Sequence, residues 1–110
     1  MLIEKENIEK LIVLENFVYL ELLRRGHTVY VGKVNDTEID FVAMNEKGIT
    51  YIQVAATVRD ENTLARELKS LKSIKDHYPK LILTLDEDPE ADYDGIRRLN
   101  ALDWLLGDIN

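Results

Sequence analysis

The sequence predicts an α/β fold: a mixed four-stranded sheet flanked by helices in the order helix, three strands, helix, strand, followed by a short C-terminal strand and helix. Three observations carry the prediction. A long helical pattern opens the chain. Three short apolar runs follow, separated by tight polar turns, and a nearly unbroken apolar run, "KLILTLD", comes after a second helical pattern.

Residues 4 to 25 read as one helix closed by "RRG". Arg24 and Arg25 suit the negative end of the helix dipole, and Gly26 suits a left-handed cap. "HTVYVGKV", 27 to 34, reads as a strand. A tight turn at Asn35 and Asp36 leads to a second strand at 37 to 44, and a turn from Asn45 to Gly48 leads to a third at 49 to 56. Residues 61 to 76 read as a helix with Leu64, Leu68, Leu71 and Ile74 on one side, capped by Asp60 or Asn62. The run at 80 to 86 fits a strand covered on both faces. The short connections make the first three strands an antiparallel meander, and the helical crossover permits the fourth to pair in parallel. "DEDPEADYD" reads as a solvated acidic loop, "IRRLNAL" as a short edge strand and "LDWLLG" as a last helical turn, with Trp104 closing the core.

At 110 residues the chain, 1–110, is expected to form a single domain. It has no cysteine, which removes disulfides and thiolate metal sites. No apolar window suffices for a membrane span, and the N-terminus lacks the pattern of a signal peptide, so no membrane partner and a cytoplasmic location are expected. The formal net charge of -7 disfavours tight binding of nucleic acid by the domain alone. His27 and His77 have no partner at ligand spacing, which points to solvent roles.

Two polar residues interrupt the second and third strands. A turn closing between Met44 and Ile49 pairs residues whose numbers sum to 93, so Asp40 falls opposite Gln53. Alternation then groups Asp40, Val42 and Met44 with Ile49, Tyr51, Gln53 and Ala55, and sends Ile39, Phe41, Ala43, Ile52 and Val54 to the other face. On the first helix, Glu15 sits amid the stripe Ile8, Leu11, Val18, Tyr19 and Leu22. An acid in a packing stripe must be paired, protonated or metal-bound. If that stripe covers the Asp40 face, Glu15, Asp40 and Gln53 form an oxygen-rich site suited to magnesium or manganese. The competing reading is a set of structural hydrogen bonds.

This order, with Glu15 on the first helix, "EIDFVA" on the second strand and "YIQVA" on the third, resembles the PD-(D/E)XK nuclease-like superfamily, the restriction-endonuclease-like fold. With "ENFVYLELLRRGHTVYVGK", "TLARELKSLKSIKDHYPKLILTLDE" and "GIRRLNALDWLL", the chain is also similar to the domain of unknown function at the C-terminal end of bacterial and archaeal AAA-type ATPases. The resemblance implies that Glu15, Asp40 and Gln53, with the Val54 carbonyl, hold magnesium or manganese. It also implies a lysine at position 55, where this chain has Ala55. Ala offers neither charge nor proton transfer, so nuclease activity is expected to be weak or lost unless Lys33 or Arg66 substitutes; an arginine can bind phosphate but cannot act as a base. The competing reading of Arg66 is a surface ion pair.

The implied role is a degenerate nuclease-like accessory module of an AAA-type ATPase, engaging nucleic acid or assisting assembly. The ATPase itself is not in this sequence, since no phosphate-binding G-x-x-x-x-G-K-[ST] occurs. Two further readings stand: an active magnesium-dependent DNA nuclease with a migrated lysine, and a docking or dimerisation module. The last draws on Val13, Phe17 and Leu20, a second apolar face of the first helix. Either the C-terminal "DWLLG" covers it, or a homodimer or another domain does.

Overall fold

The computed structural model describes residues 5–107, in the order α1 (Lys5–Arg24), β1 (Thr28–Val34), β2 (Thr37–Asn45), β3 (Gly48–Val54), α2 (Glu61–Lys72), β4 (Lys80–Thr84), β5 (Ala91–Tyr93), β6 (Ile96–Asn100) and α3 (Ala101–Leu106). The strands form one mixed sheet ordered β1-β2-β3-β4-β6-β5. β1, β2 and β3 are an antiparallel meander; β3, β4 and β6 run parallel, and β5 returns antiparallel along β6.

The expected turns form for the expected reasons. Asn35 and Asp36 both have positive φ, 49° and 66°, as the two-residue hairpin between the paired Val34 and Thr37 requires. Gly48 closes the next hairpin with φ +133°, and a Cβ there would meet the Tyr78 ring at 2.7 Å. Arg25, Gly26 and His27 turn their N–H groups back onto the last carbonyls of α1, with Gly26 at φ +87°. Asp60 caps α2 through the Asn62 and Thr63 amides. That helix ends at Lys72, earlier than its apolar spacing suggests, because Ser73 supplies a cap while Ile74 still reaches the core.

The sheet is larger than the sequence suggests. β6 is an interior strand between β4 and β5, and the edge is taken by β5, which forms within the acidic stretch read as a loop. The turn through Asp94 and Gly95, both at positive φ, folds Tyr93 back onto Ile96. Alternation is too short in three residues to reveal such a strand. No helix among the described residues is long and apolar enough to cross a membrane.

Two apolar layers sandwich the sheet. Leu14, Val18 and Leu22 of α1 pack with Phe41, Ala43, Ile52, Val54 and Trp104, and Leu71 and Ile74 pack with Tyr51, Ala55, Ile82 and Ile96 on the opposite face. Leu64 and Leu68 join the second layer, as their spacing predicts. Trp104 is buried, closing the first layer.

Candidate functional site

The expected sum-93 register holds from Asn45↔Gly48 to Phe41↔Ile52 and stops there. Beyond it side chains take over the pairing. Gln53 Oε1 accepts the Asp40 backbone N–H at 2.7 Å, Asp40 Oδ2 accepts the Val54 N–H at 2.8 Å, and Gln53 Nε2 donates to the Glu38 carbonyl at 3.2 Å. Asp40 and Gln53 therefore do meet, each bonded to the other strand's backbone. They bridge the place where β3 leaves β2 and pairs along β4.

β2 is bulged against β1 at the same place. β1 pairs Tyr30 with Val42 but Gly32 with Ile39, so Asp40 and Phe41 together face the one residue Val31. Alternation flips across it. Ile39 joins the α2 layer while Phe41 stays in the α1 layer, which corrects the placement of Ile39 beside Phe41. An extra residue in a strand leaves no period-two signature of its own.

The stripe expected to carry Glu15 is also corrected. The buried line of α1 is Leu14, Val18 and Leu22; Ile8 and Tyr19 are exposed, and Glu15 lies at the margin of the packing face. That face covers Phe41, Ile52 and Val54 rather than the side toward which alternation turns Gln53. Glu15 nevertheless feels Asp40. Burial, then the Asp40 charge, hold the Glu15 carboxyl above its ordinary value. Asp40 is raised chiefly by burial, opposed by the Val54 N–H and reinforced by Glu38.

A third acid, missed in the sequence, shares this field. Glu67 of α2 is raised by burial and then by Asp40, against the pull of Arg66. The criterion that selects Glu15 would have selected it: Glu67 lies three residues after Leu64 and four before Leu71, on the apolar side of its helix. Asp40 at the bulge thus lies within electrostatic reach of a carboxylate from each helical layer.

The residues considered as lysine substitutes lie apart from these bonds. Lys33 is exposed on β1 opposite Glu38, and exposed Arg66 sits 3.6 Å from Glu67 as an ion pair. Ala55 is buried in the α2 layer, its N–H donated to Leu83. Val54 is buried with its side chain in the opposite layer. Among the described residues, no three of His, Cys, Asp and Glu are gathered so as to hold a metal ion. The Gln53 oxygen accepts one N–H and keeps a second lone pair.

Two further polar clusters escaped the sequence reading. Lys80, at the start of β4, is buried and donates to the Asp76 carboxylate and carbonyl and the Tyr78 carbonyl at 2.9 to 3.0 Å. Tyr51, its neighbour across the ladder, donates to the other Asp76 oxygen at 2.6 Å. Burial, then that bond and charge, push the Tyr51 hydroxyl up to about 12. At the opposite end of β4, buried Asp86 accepts the Val58 N–H at 2.9 Å, and its carbonyl accepts from Asn100. These bonds tie the chain after β3 to the ends of β4 and β6. His27, expected to face solvent alone, is half-buried with its ring 3.2 Å from the Asn45 amide; His77 is exposed and stacks on Tyr78.

Comparison with known proteins gives a family without an assigned activity. The family described as "Domain of unknown function (DUF4143)" matches residues 12–103. A Haemophilus influenzae protein described only as an uncharacterized protein is 45% identical over 93 residues, which are 84% of this chain and 22% of that protein. The chain thus spans well under half of that relative's length. No solved structure matches. With 92 of its 110 residues inside the family match, counted from 12 to 103, the chain belongs to the DUF4143 family.

Proposed function

We propose that the domain is a degenerate PD-(D/E)XK nuclease-like module that serves an AAA-type ATPase in nucleic-acid engagement or assembly, without efficient cutting. The observation that carries this reading is the state of the Asp40–Gln53 pair. Both ends of the Gln53 amide, and one Asp40 oxygen, bridge strand backbone. Groups that the resemblance assigns to metal binding are engaged as structural polar links, and beside them stands buried Ala55 where general-base assistance would need a lysine. The helix, meander, helix and parallel strand from α1 to β4 support the lineage, and the much longer Haemophilus protein supports a role within a larger polypeptide.

One observation favours the magnesium-dependent reading. Glu15 and Glu67 are both raised, first by burial and then by the Asp40 charge, and a divalent cation would relieve the second part with Glu15 and Asp40 as ligands. Manganese titration followed by electron paramagnetic resonance separates the readings. The degenerate module leaves the free-manganese signal unchanged, and cleaves no DNA, in wild type and Asp40→Asn alike. Loss of free signal in wild type that Asp40→Asn abolishes would replace it with a metal-dependent function. DNA binding by the domain alone should be weak and lost as salt rises.

A further inference from the structure

α1 is apolar on more sides than its own fold uses. Val13, Phe17 and Leu20 are 52%, 56% and 59% exposed, so α3 does not cover them. It instead extends the surface: an open groove of about 420 Å³ runs between α1 and α3, lined by Val13, Leu14, Phe17, Leu85, Leu102 and Leu105. Exposed Leu102 continues the patch. Another flank of α1, with Ile8, Ile12 and Leu23, is also exposed, but it does not carry opposite charges at its two ends.

The Phe17 face does. At about 100° per residue, Glu6, Val13, Phe17, Leu20 and Arg24 fall within roughly 60° of arc, with Lys10 and Glu21 along one shoulder. An acid marks one end of the stripe and a base the other, about 27 Å apart along the axis. We propose that this face binds a second copy of the same chain through antiparallel α1–α1 packing about a two-fold axis near residue 15. In that register Val13 lies opposite Phe17 of the partner subunit and Glu6 opposite Arg24 of the partner subunit. Every relation occurs twice, as an isologous interface requires, and the helix dipoles oppose. Within one chain these charges already pair along the helix, Lys10 with Glu6 and Arg24 with Glu21, so the dimer shares existing ion pairs rather than burying lone charges. The inference is independent of any nuclease ancestry.

The test is sedimentation of the whole chain with circular dichroism as a check on folding. Wild type should sediment as a dimer and Phe17→Glu as a folded monomer. Glu6→Arg alone places four bases at the two ends of its homodimer, and Arg24→Glu alone places four acids, so each should weaken self-association by about tenfold. Mixing those two variants restores opposite charges at both ends and should restore the dimer. A monomeric wild type would give the face to some other part of a longer polypeptide and overturn the proposal. So would a mixture that associates no better than its separate components, since that removes the antiparallel register.

Discussion

The Gln53 side chain accepts the Asp40 backbone N–H at 2.7 Å, and the Asp40 side chain accepts the N–H of Val54, the residue next to Gln53, at 2.8 Å. This reciprocal clasp holds β2 and β3 together just past the last paired residues, Phe41 and Ile52. It continues the link between the two strands where their ladder ends.

Gln53→Ala is therefore expected to destabilise the fold by about 1–3 kcal/mol, because the Asp40 N–H and the Glu38 carbonyl lose their partner. Gln53→Glu should also destabilise it at neutral pH, where a carboxylate oxygen replaces the donor facing the Glu38 carbonyl. Urea unfolding checks both. Two variants as stable as wild type would show that the clasp contributes nothing.

Three carboxyls should make stability fall as pH rises. Glu15, Asp40 and Glu67 hold their protons more tightly in the fold than in the unfolded chain. Their contribution is fully present below the ordinary carboxylate values and is lost as pH climbs through the raised folded ones. Glu21 acts oppositely. Its bonds to Arg24 and Arg25 lower it to about 2, so its contribution is present above the ordinary glutamate value and lost as pH falls toward 2. Glu67→Gln and Glu15→Gln should raise the urea midpoint near pH 7 and lose that advantage near about pH 4. An advantage equal at both pH values would assign the effect to packing.

The Tyr51–Asp76–Lys80 cluster predicts a spectroscopic change. Tyr51, held at about 12, should titrate above the ordinary phenol value, and Asp76→Asn should bring it down by removing a charge and an anionic acceptor. Tyr51→Phe identifies its step in an ultraviolet titration. Asp76→Ala should also cost on the order of 3 kcal/mol, since it leaves the Lys80 ammonium buried beside carbonyls alone. An unchanged Tyr51 step in Asp76→Asn would refute the coupling.

Ala55→Lys tests the proposed lineage directly. Position 55 is buried in the α2 layer, so the variant should first lose stability. Combined with Gln53→Glu and joined to a basic DNA-binding segment, it is expected to create magnesium-dependent cleavage, with the added lysine worth about 10²- to 10⁴-fold over the tethered Gln53→Glu variant alone. Asp40→Ala in the same background should abolish the gain. Cleavage that survives loss of Asp40 would show that this clasp is not the remnant of a metal site.

The sequence by itself determined the local architecture. Asn35-Asp36 and Asn45 to Gly48 specified their hairpins through residues that tolerate positive φ, "RRG" ended α1, and the run at β4 announced a strand covered on both faces. It also singled out Asp40 and Gln53 as a pair, because a hairpin register is fixed by its turn. Only the tertiary structure decided what that pair does. The bulge opposite Val31 depends on how β1 meets β2, and it moved Ile39 to the other layer. The rotation of α1 depends on which leucines fill the space above Phe41 and Val54; it buried Leu14, left Glu15 at the margin and left Phe17 exposed. Glu67 and Lys80 acquired their partners across elements distant in sequence. Periodicity reports which residues share a face, but packing against the rest of the chain decides which face is buried and which charges meet.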